Sequence, residues 1–310
     1  MVFDESVLIC DEVDPILNKI LVDNGLKVSY EPTITAEQIL EKISTFNILI
    51  VRSRTTITKE MIEKADKCKI IARVGVGLDN IDEEAAKTKN IRVINAVEGA
   101  MNAVAELVLG LMLSLARQTA RGDREIRKGN WLKKELKGTE LRGKYLGIIG
   151  LGNIGKRLGR LARALNMNII GYDVIPIDEE FSKEVGLLKA DLNTLLQSSD
   201  YISIHVPLLD STYHLLDAQK MSTMKKTAKI INTSRGGVVD EDALYDALKN
   251  GTLGGAALDV FEKEPATGNK LAELDNVILT PHIGAQTKEA QSLAANVIAE
   301  KIIQILRGVI

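Results

Sequence analysis

Short apolar runs alternate with amphipathic stretches from one end of the chain to the other. In the first hundred residues the runs lie at Val7–Cys10, Lys27–Tyr30, Asn47–Val51, Lys69–Val74 and Arg92–Asn95. The stretches between them have helical character. One of them, Thr35–Ser44, begins with an N-cap threonine and carries Gln38 where a capping box needs it. Apolar runs that alternate with helices predict a parallel sheet covered by helices on both faces.

A second alternation fills the rest of the chain. Its apolar runs are Lys144–Ile149, Asn168–Tyr172, Tyr201–Ile204, KIINT (229–233), GGAALDVF (254–261) and NVILT (276–280). Helical stretches flank it, from about Ala100 to Lys128 and from Lys288 to Arg307. Because the last helix follows the second sheet, we expect the chain to return to the first domain. The sequence thus predicts an α/β protein with two doubly wound parallel-sheet domains, at residues 1–98 plus 285–310 and at residues 99–284.

A glycine-rich segment, Gly150–Gly155, directly follows the run Lys144–Ile149 and precedes a helix expected from Lys156 to Asn166. In such a unit the first glycine permits a tight turn and the second lets the backbone approach a pyrophosphate. The third lets the helix pack closely on the strand. The pyrophosphate would lie at the helix N-terminus. The cofactor-binding candidates in this motif are Gly150, Gly152, Asn153, Ile154 and Gly155.

Asp173 ends the next predicted strand, 23 positions after Gly150. This is close to the spacing of about 20 expected for the acid that binds the ribose of a dinucleotide. A carboxylate there accepts hydrogen bonds from the ribose hydroxyls and repels a 2′-phosphate, and residues 174–178 contain no Arg or Lys that would bind one. NAD is therefore the expected cofactor rather than NADP. The alternative is a strand-end aspartate without a ligand.

Three chemically active side chains, Arg235, Glu264 and His282, each follow one of the last three apolar runs. In an open α/β sheet, ligands bind beyond the carboxyl ends of the strands, where the loops converge. A guanidinium, an acid and an imidazole can together bind a carboxylate and move a proton. We therefore expect one catalytic site here; the alternative is three unrelated surface residues.

Composition narrows the choice of partners. The 310 residues carry a formal charge of −2 with a pI near 6.1, which gives no reason to expect nucleic acid or an anionic membrane as a partner. The two cysteines are too few for a disulfide framework, and the acidic N-terminus does not resemble a signal peptide. The longest apolar stretch, Ala103–Ala116, is too short to span a bilayer. We expect a soluble cytoplasmic protein that binds no metal.

The ordered series GLGNIG, YD, HVPLLDST, NTSRGGVVDE, ALDVFEKEP and TPHIGA resembles the D-isomer-specific 2-hydroxyacid dehydrogenases over nearly the whole chain. The segments VRSRT (51–55), RVGVGLDNID (73–82) and GTELRGKYLGIIGLG (138–152) most resemble the phosphoglycerate dehydrogenase branch of that family. This resemblance implies a Rossmann NAD-binding domain inserted in a flavodoxin-like substrate domain. It also implies oxidation of D-3-phosphoglycerate to 3-phosphohydroxypyruvate by NAD, the first step of serine biosynthesis.

The resemblance also implies roles for single residues. His282 would be the general acid that protonates the keto oxygen. Glu264 would form a hydrogen bond with the other ring nitrogen of His282, and Arg235 would bind the substrate carboxylate. Further cofactor contacts would be Val76, Asp173, His205, Val206, Pro207, Thr212, Thr233, Ser234, Asp259, Gly284 and Ala285. Substrate contacts besides Arg235 would be Arg52, Ser53, Arg73, Gly75 and Asn102, with Arg52 and Arg73 on the phosphate.

Three expectations concern the surface. Arg52 and Arg54 are two positions apart at a strand end, so they could share a face; the alternative is surface arginines that pair with nearby acids. His214 is expected to be an ordinary surface residue. The helix from Ala100 onward, with Trp131 beyond it, resembles the segment through which these enzymes dimerise, so a homodimer is expected.

Other functions stay open at this point. Relatives with the same fold reduce glyoxylate, hydroxypyruvate or other keto acids. NAD(H)-sensing binding proteins also have this fold. Some hydrolases with a related fold use bound NAD as an internal redox catalyst. Glu264 stands where the formate dehydrogenases of the family carry Gln, which argues against formate. The resemblance ends at Ile310 without the regulatory domain of longer members, so serine feedback through such a domain is not expected.

Overall fold

The computed structural model describes residues 3–309, and the chain divides into two compact units. Unit 1 combines the described residues up to Met101 with those from Ala285 onward, and unit 2 spans Asn102–Gly284. The first boundary expected from the sequence lies after residue 98, whereas this division comes after Met101. Residue 99 belongs with unit 1 because Gly99 packs directly on Ala294, where a Cβ atom would come within 2.8 Å of the alanine side chain.

Unit 1 is built on a five-stranded parallel sheet in the order β2-β1-β3-β4-β5, which is the flavodoxin-like order that was expected. Its strands are β1 (Ser6–Ile9), β2 (Lys27–Tyr30), β3 (Ile48–Val51), β4 (Ile70–Arg73) and β5 (Arg92–Asn95). Its helices are α1 (Pro15–Asp23), α2 (Ala36–Lys42), α3 (Lys59–Lys64), α4 (Glu83–Thr88) and, at the end of the chain, α12 (Lys288–Leu306). The predicted capping box of α2 is present between Thr35 and Gln38.

Both faces of this sheet are covered. Ile48 and Ile50 of β3 belong to a buried cluster with residues of α1 and α12, and Leu49 and Val51 belong to another with residues of α2, α3 and α4. Successive side chains of a strand point to opposite faces, so a strand between two helical layers must be apolar at every position. This is why the central strand β3 is a continuous apolar run in the sequence, whereas the edge strands β2 and β5 also contain polar residues.

Unit 2 contains a seven-stranded parallel sheet in the order β12-β11-β10-β9-β6-β7-β8. Its strands are β6 (Tyr145–Ile149), β7 (Asn168–Tyr172), β8 (Leu188–Lys189), β9 (Tyr201–Ile204), β10 (Lys229–Asn232), β11 (Gly255–Leu258) and β12 (Val277–Leu279). Its helices are α5 (Met101–Arg117), α6 (Thr119–Arg127), α7 (Asn153–Ala164), α8 (Glu179–Val185), α9 (Leu192–Ser198), α10 (Ala218–Ser222) and α11 (Glu241–Lys249). The strand order reverses between β6 and β9, as in Rossmann folds, and ligands bind beyond the carboxyl ends of strands at such a point.

The long helix expected from about Ala100 to Lys128 is wrong as a single element. It breaks at Gln118, whose φ of 53° lies in the left-handed region, into α5 and α6. The carbonyl of Ala116 accepts a hydrogen bond from the backbone N–H of Thr139 (2.9 Å). Because Thr139 is distant in sequence from Ala116, no local pattern predicts this break in the helix. In residues 3–309 no single helix has the length and apolar composition of a membrane span; α5 and α6 meet that test only as a pair bent by 65°.

Candidate active site

The three motif glycines of the β6–α7 loop differ in what surrounds them. Gly150 has a φ of +92°, and a Cβ atom there would come within 2.8 Å of the carbonyl of His205. A Cβ atom at Gly155 would come within 2.1 Å of the Gly150 carbonyl. At Gly152 a Cβ atom would meet nothing within 4 Å. Packing therefore explains the first and third glycines but not the second, which leaves open space beside the loop, as approach to a pyrophosphate requires.

Helix α7 begins at Asn153, three positions before the expected Lys156, so Asn153 and Ile154 lie in its first turn. No side chain caps this N-terminus, and its first turn contains no acidic residue. The unpaired N–H groups and the helix dipole therefore attract an anion at this point. The free helix end and the open space at Gly152 together fit a dinucleotide pyrophosphate.

Asp173 follows β7 and bonds to the glycine loop. Its Oδ2 accepts from the N–H of Leu151 (2.6 Å) and its Oδ1 accepts from the N–H of Ile175 (3.0 Å). A carboxylate has about four acceptor sites, so capacity for ribose hydroxyls remains. Asp173 lines an open cavity of about 610 Å³ that Lys189 also lines. Lys189 was not foreseen there, and its ammonium group pairs with Glu179.

The segment after β9 lies against the glycine loop. The side chain of Val206, like the His205 carbonyl, would touch a Cβ atom at Gly150. The His205 ring is within 2.9 Å of the hydroxyl of buried Ser203, and burial lowers the pKa of His205 to about 4. The ring is therefore neutral at physiological pH. Thr212 closes the following turn by donating to the Pro207 carbonyl (2.6 Å).

The loop after β10 contains an unsatisfied hydroxyl. The Oγ1 atom of Thr233 is buried and has no hydrogen-bond partner among the described residues. The neighbouring hydroxyl of Ser234 donates to the Asn232 side chain (2.8 Å). A buried polar atom without a partner is uncommon in folded proteins and indicates that a ligand supplies one. Thr233, Gly152 and the α7 N-terminus thus fit a bound dinucleotide.

Glu264 and His282 form a hydrogen-bonded pair. Nδ1 of His282 lies 2.8 Å from Oε2 of Glu264, whose Oε1 accepts from the N–H of Phe261 (3.2 Å). The carboxylate is thus fixed on both sides, and it selects the tautomer of the imidazole ring. About half of the His282 side chain is exposed (52%). Its Nε2 is therefore the nitrogen left to exchange a proton with a ligand.

Asp259 fixes the loop that carries His282. The histidine has a φ of 51°, and its N–H donates to the Asp259 carbonyl (2.9 Å). The fully buried carboxylate of Asp259 accepts from the Thr280 hydroxyl (2.6 Å) and from the N–H groups of Ile283 and Gly284 (2.8 Å each). Protein groups therefore occupy both oxygens of Asp259, which makes it a support for the catalytic loop. Its cofactor contact and that of Gly284 stay predictions.

The turn that carries Arg235 lies against the loop that leads to Glu264. A Cβ atom at the next residue, Gly236, would come within 1.9 Å of the carbonyl carbon of Phe261, so these two backbones touch. The guanidinium of Arg235 donates to the Ser234 carbonyl (2.7 Å), and the Arg235 carbonyl accepts from the Asn232 side chain (2.8 Å). Unit 2 thus brings together the loops of all three predicted catalytic residues at the carboxyl edge of its sheet.

In unit 1 the predicted phosphate ligands adjoin each other. Nε of Arg73 donates to the Arg52 carbonyl (3.2 Å), and a Cβ atom at Gly75 would come within 2.9 Å of the Arg73 guanidinium. The Arg52 guanidinium donates to the side-chain oxygen of Gln286 (3.0 Å). An amide is neutral, so this contact orients Arg52 without cancelling its charge.

Arg54 pairs with an acid, which was the alternative to a face shared with Arg52. Its guanidinium pairs with Asp11 (3.1 Å) and donates to the backbone carbonyls of Cys10 and Ile34. Asp11 is buried, and it also accepts from the N–H of Arg52 (2.5 Å) and from the hydroxyl of Thr55 (2.6 Å). Arg54 and Asp11 thus shape the loop that presents Arg52.

Four further candidates have less distinctive surroundings. Ser53 is exposed, and Asn102 is exposed in the first turn of α5. The carbonyl of Val76 accepts from the Asn95 side chain (2.5 Å). Ala285, the fourth, is the first residue of the second segment of unit 1. Their contacts with substrate or cofactor stay predictions.

His214 is a side chain at this edge that the sequence did not predict. It is half-buried rather than an ordinary surface residue, and its Nε2 lies 3.0 Å from Oε1 of Glu262. The two residues are 48 positions apart and follow different strands. The one available signal was that each stands beyond an apolar run, as the predicted catalytic residues do.

Known proteins resemble the chain in both sequence and structure. A family model of the D-isomer-specific 2-hydroxyacid dehydrogenase NAD-binding domain matches residues 109–284. Over 304 residues the chain is 47% identical to a D-3-phosphoglycerate dehydrogenase of Methanocaldococcus jannaschii, covering 98% of this chain and 58% of that protein. Over 273 residues it is 45% identical to a hydroxypyruvate reductase of Thermotoga maritima, covering 87% of this chain and 88% of that one. The chain thus spans little more than half of the first of these relatives.

The same likeness extends to solved structures. The crystal structure of D-lactate dehydrogenase from Aquifex aeolicus, complexed with NAD and lactic acid, aligns with a TM-score of 0.85. That alignment has 31% sequence identity and covers 98% of this chain and 96% of the other.

Proposed function

The chain belongs to the D-isomer-specific 2-hydroxyacid dehydrogenases, and we propose that it oxidises D-3-phosphoglycerate to 3-phosphohydroxypyruvate with NAD. The observation that carries the proposal is the hydrogen bond of 2.8 Å between His282 and Glu264, beside the turn of Arg235. These groups can bind an acid and move a proton at the sheet edge where a dinucleotide fits. The step would open serine biosynthesis, and we propose the cytoplasm as its compartment, where cysteines such as the free Cys10 and Cys68 stay reduced.

NAD, when bound, supplies the hydride acceptor in oxidation and, as NADH, the donor in reduction. Unit 2 would hold it through the N–H groups at the start of α7, the Asp173 carboxylate and the Thr233 hydroxyl. The open space at Gly152 gives the pyrophosphate room beside the backbone. In unit 1, Val76 and Ala285 would add contacts that the family resemblance suggests.

The proton path uses His282 and Glu264. In reduction, Nε2–H of His282 gives its proton to the oxygen of C2 as that oxygen gains negative charge, and the imidazole becomes neutral. In oxidation, the neutral Nε2 takes the hydroxyl proton, and the Glu264 carboxylate stabilises the imidazolium that forms. Arg235 binds the substrate carboxylate through two parallel hydrogen bonds and so orients C2.

Phosphate binding by Arg52 and Arg73 is what would distinguish this substrate from simpler keto acids. Arg52 keeps its full charge because Gln286 is neutral, and Arg73 adjoins it. Guanidinium groups bind phosphate by charge-assisted, two-pronged hydrogen bonds. A hydroxypyruvate reductase is the second candidate, because one relative at 45% identity carries that name.

The experiment is the Arg52→Gln variant assayed on two substrates that differ in the phosphate alone. The KM for 3-phosphohydroxypyruvate should rise roughly tenfold to a hundredfold, as loss of a charge-assisted contact predicts. The KM for hydroxypyruvate should stay within about twofold. Equal changes for both substrates would remove the phosphate role of Arg52 and favour the reductase.

A further inference from the structure

His214 lies between two carboxylates at the carboxyl edge of the unit 2 sheet. Its Nε2 is 3.0 Å from Oε1 of Glu262, and its Nδ1 is 3.6 Å from Oδ2 of Asp240. The ring also stacks on Tyr213, with 4.0 Å between the ring centroids. The side chains are between one quarter and just over one third exposed (29% for His214, 26% for Asp240 and 36% for Glu262), so solvent screens these contacts only in part.

The two carboxylates face different nitrogens of the ring. Donor atoms of His214, Asp240 and Glu262 all lie within 4.8 Å of one another, which would also admit a cation. A single metal ion, however, binds one ring nitrogen and needs its lone pair. The arrangement therefore suits a ring that links two acidic side chains on different loops better than it suits a metal site.

Through these contacts His214 joins three loops. It belongs to the loop after β9, and its N–H donates to the carbonyl of Gly237 (2.8 Å), in the turn that begins with Arg235. Glu262 precedes Glu264 by two positions and exchanges hydrogen bonds with Glu241, whose backbone N–H donates to the Glu262 side chain. The positive φ of His214 (47°) sets the direction of its ring.

We propose that His214 is a positioning residue: it holds the Arg235 turn against the loop of Glu264, so that the guanidinium is fixed before a keto acid binds. The inference rests on the proposed function, because the fixed guanidinium matters only if it binds a substrate carboxylate. The contact of Gly236 with the Phe261 backbone has no spare room, so a small shift of either loop displaces Arg235. Loss of the His214 ring contacts with Glu262 and Asp240 should raise the KM more than it lowers kcat, because Arg235 binds the carboxylate and takes no part in the proton transfer.

The main variant is His214→Gly, since glycine keeps the positive φ without strain and removes the ring. The KM for 3-phosphohydroxypyruvate should rise roughly tenfold, while kcat and the Kd for NADH stay within about threefold. Asn166→Gly is the matched control, because Asn166 also has a positive φ (57°) in the same unit, just after α7. This control should leave all three constants unchanged.

Glu262→Ala provides a second test, because it removes the carboxylate that the His214 ring contacts. It should raise the KM in the wild-type background and have no further effect in His214→Gly, because both changes break the same contact. If His214→Gly does not fold, the KM of Glu262→Ala alone decides the outcome, and a normal value overturns the proposal.

An active wild type with an unchanged KM in His214→Gly would overturn the role of His214 and leave the proposed function standing. A wild type that reduces no 2-keto acid would defeat both. The two failures are therefore distinguishable by the wild-type rate alone.

Discussion

At the scale of single residues, the side chains that follow strand ends could be predicted, but their supports could not. Arg235, Glu264 and His282 stand out because each polar group follows an apolar run. Asp11 and His214 also follow apolar runs, but Asp11 lies 44 positions from its partner Thr55 and His214 lies 48 positions from Glu262, so the sequence does not show what they support. Pairing over such separations is a product of the fold, and no local pattern encodes it.

The proton-transfer role of His282 predicts a large and specific loss. His282→Ala should lower kcat roughly 10²–10⁴-fold, the usual contribution of a positioned acid–base group. The Kd for NADH, measured by fluorescence titration, should change little, because the expected pyrophosphate and ribose contacts involve other residues. A variant that keeps near-normal turnover would remove His282 from the mechanism.

Burial of His205 predicts a pH dependence of stability. Its pKa of about 4 in the folded chain lies below the usual 6.5, so between these values the unfolded chain binds the extra proton. Stability is therefore fully present above pH 6.5 and is lost as the pH falls toward 4. Between pH 7 and pH 5 the wild type should lose about 2 kcal/mol more unfolding free energy than His205→Gln, by urea denaturation. Parallel losses in both proteins would contradict the burial of a neutral ring.

At the scale of elements, strands were the easier prediction and helix ends the harder one. Strands between two helical layers are apolar at every position, so they are recognisable without periodicity. At the break after Gln118 the Ala116 carbonyl accepts from Thr139, and the start of α7 lies inside the glycine motif, where Asn153 already takes a helical conformation. In both places tertiary contacts or loop geometry override the local pattern.

Two alanine variants of the glycine loop should have different defects: Gly152→Ala should weaken NADH binding, and Gly155→Ala should lower stability. An added methyl group in Gly152→Ala meets no protein atom. The unfolding free energy of this variant should therefore fall by less than about 1 kcal/mol, as is usual for surface substitutions. Its Kd for NADH should nonetheless rise roughly tenfold or more, because the methyl group occupies space next to the α7 N-terminus. Gly155→Ala collides with the Gly150 carbonyl and should lose about 2–4 kcal/mol. Normal NADH binding by Gly152→Ala would argue against a pyrophosphate at this loop.

At the scale of the whole molecule, the fold class and the two-domain plan were predictable because the alternation of strands and helices appears twice. Oligomeric state was not predictable from periodicity, and the proposed homodimer rests on exposed apolar side chains. Leu113 of α5, Ile126 of α6 and Trp131 are 43%, 49% and 77% exposed in unit 2. Large exposed apolar groups along one segment indicate an interaction surface.

The dimer proposal predicts a mass near twice 33.9 kDa by sedimentation velocity. The double variant Leu113→Glu with Trp131→Ser should sediment as a monomer, because it places charge and polarity on the proposed interface. Leu188→Glu, which changes an exposed leucine on the edge strand β8, should remain a dimer. A monomeric wild type would exclude this assembly.

The most direct test of the proposed function is the rate of NADH oxidation with 3-phosphohydroxypyruvate, compared at equal concentration with hydroxypyruvate, glyoxylate and pyruvate. Phosphate binding by Arg52 and Arg73 predicts a preference in kcat/KM of about a hundredfold for the phosphorylated substrate, or about 2.7 kcal/mol of discrimination. Equal rates would contradict phosphate recognition and leave a general hydroxyacid reductase. No rate with any of them would contradict the dehydrogenase itself and favour an NAD(H)-sensing binding protein.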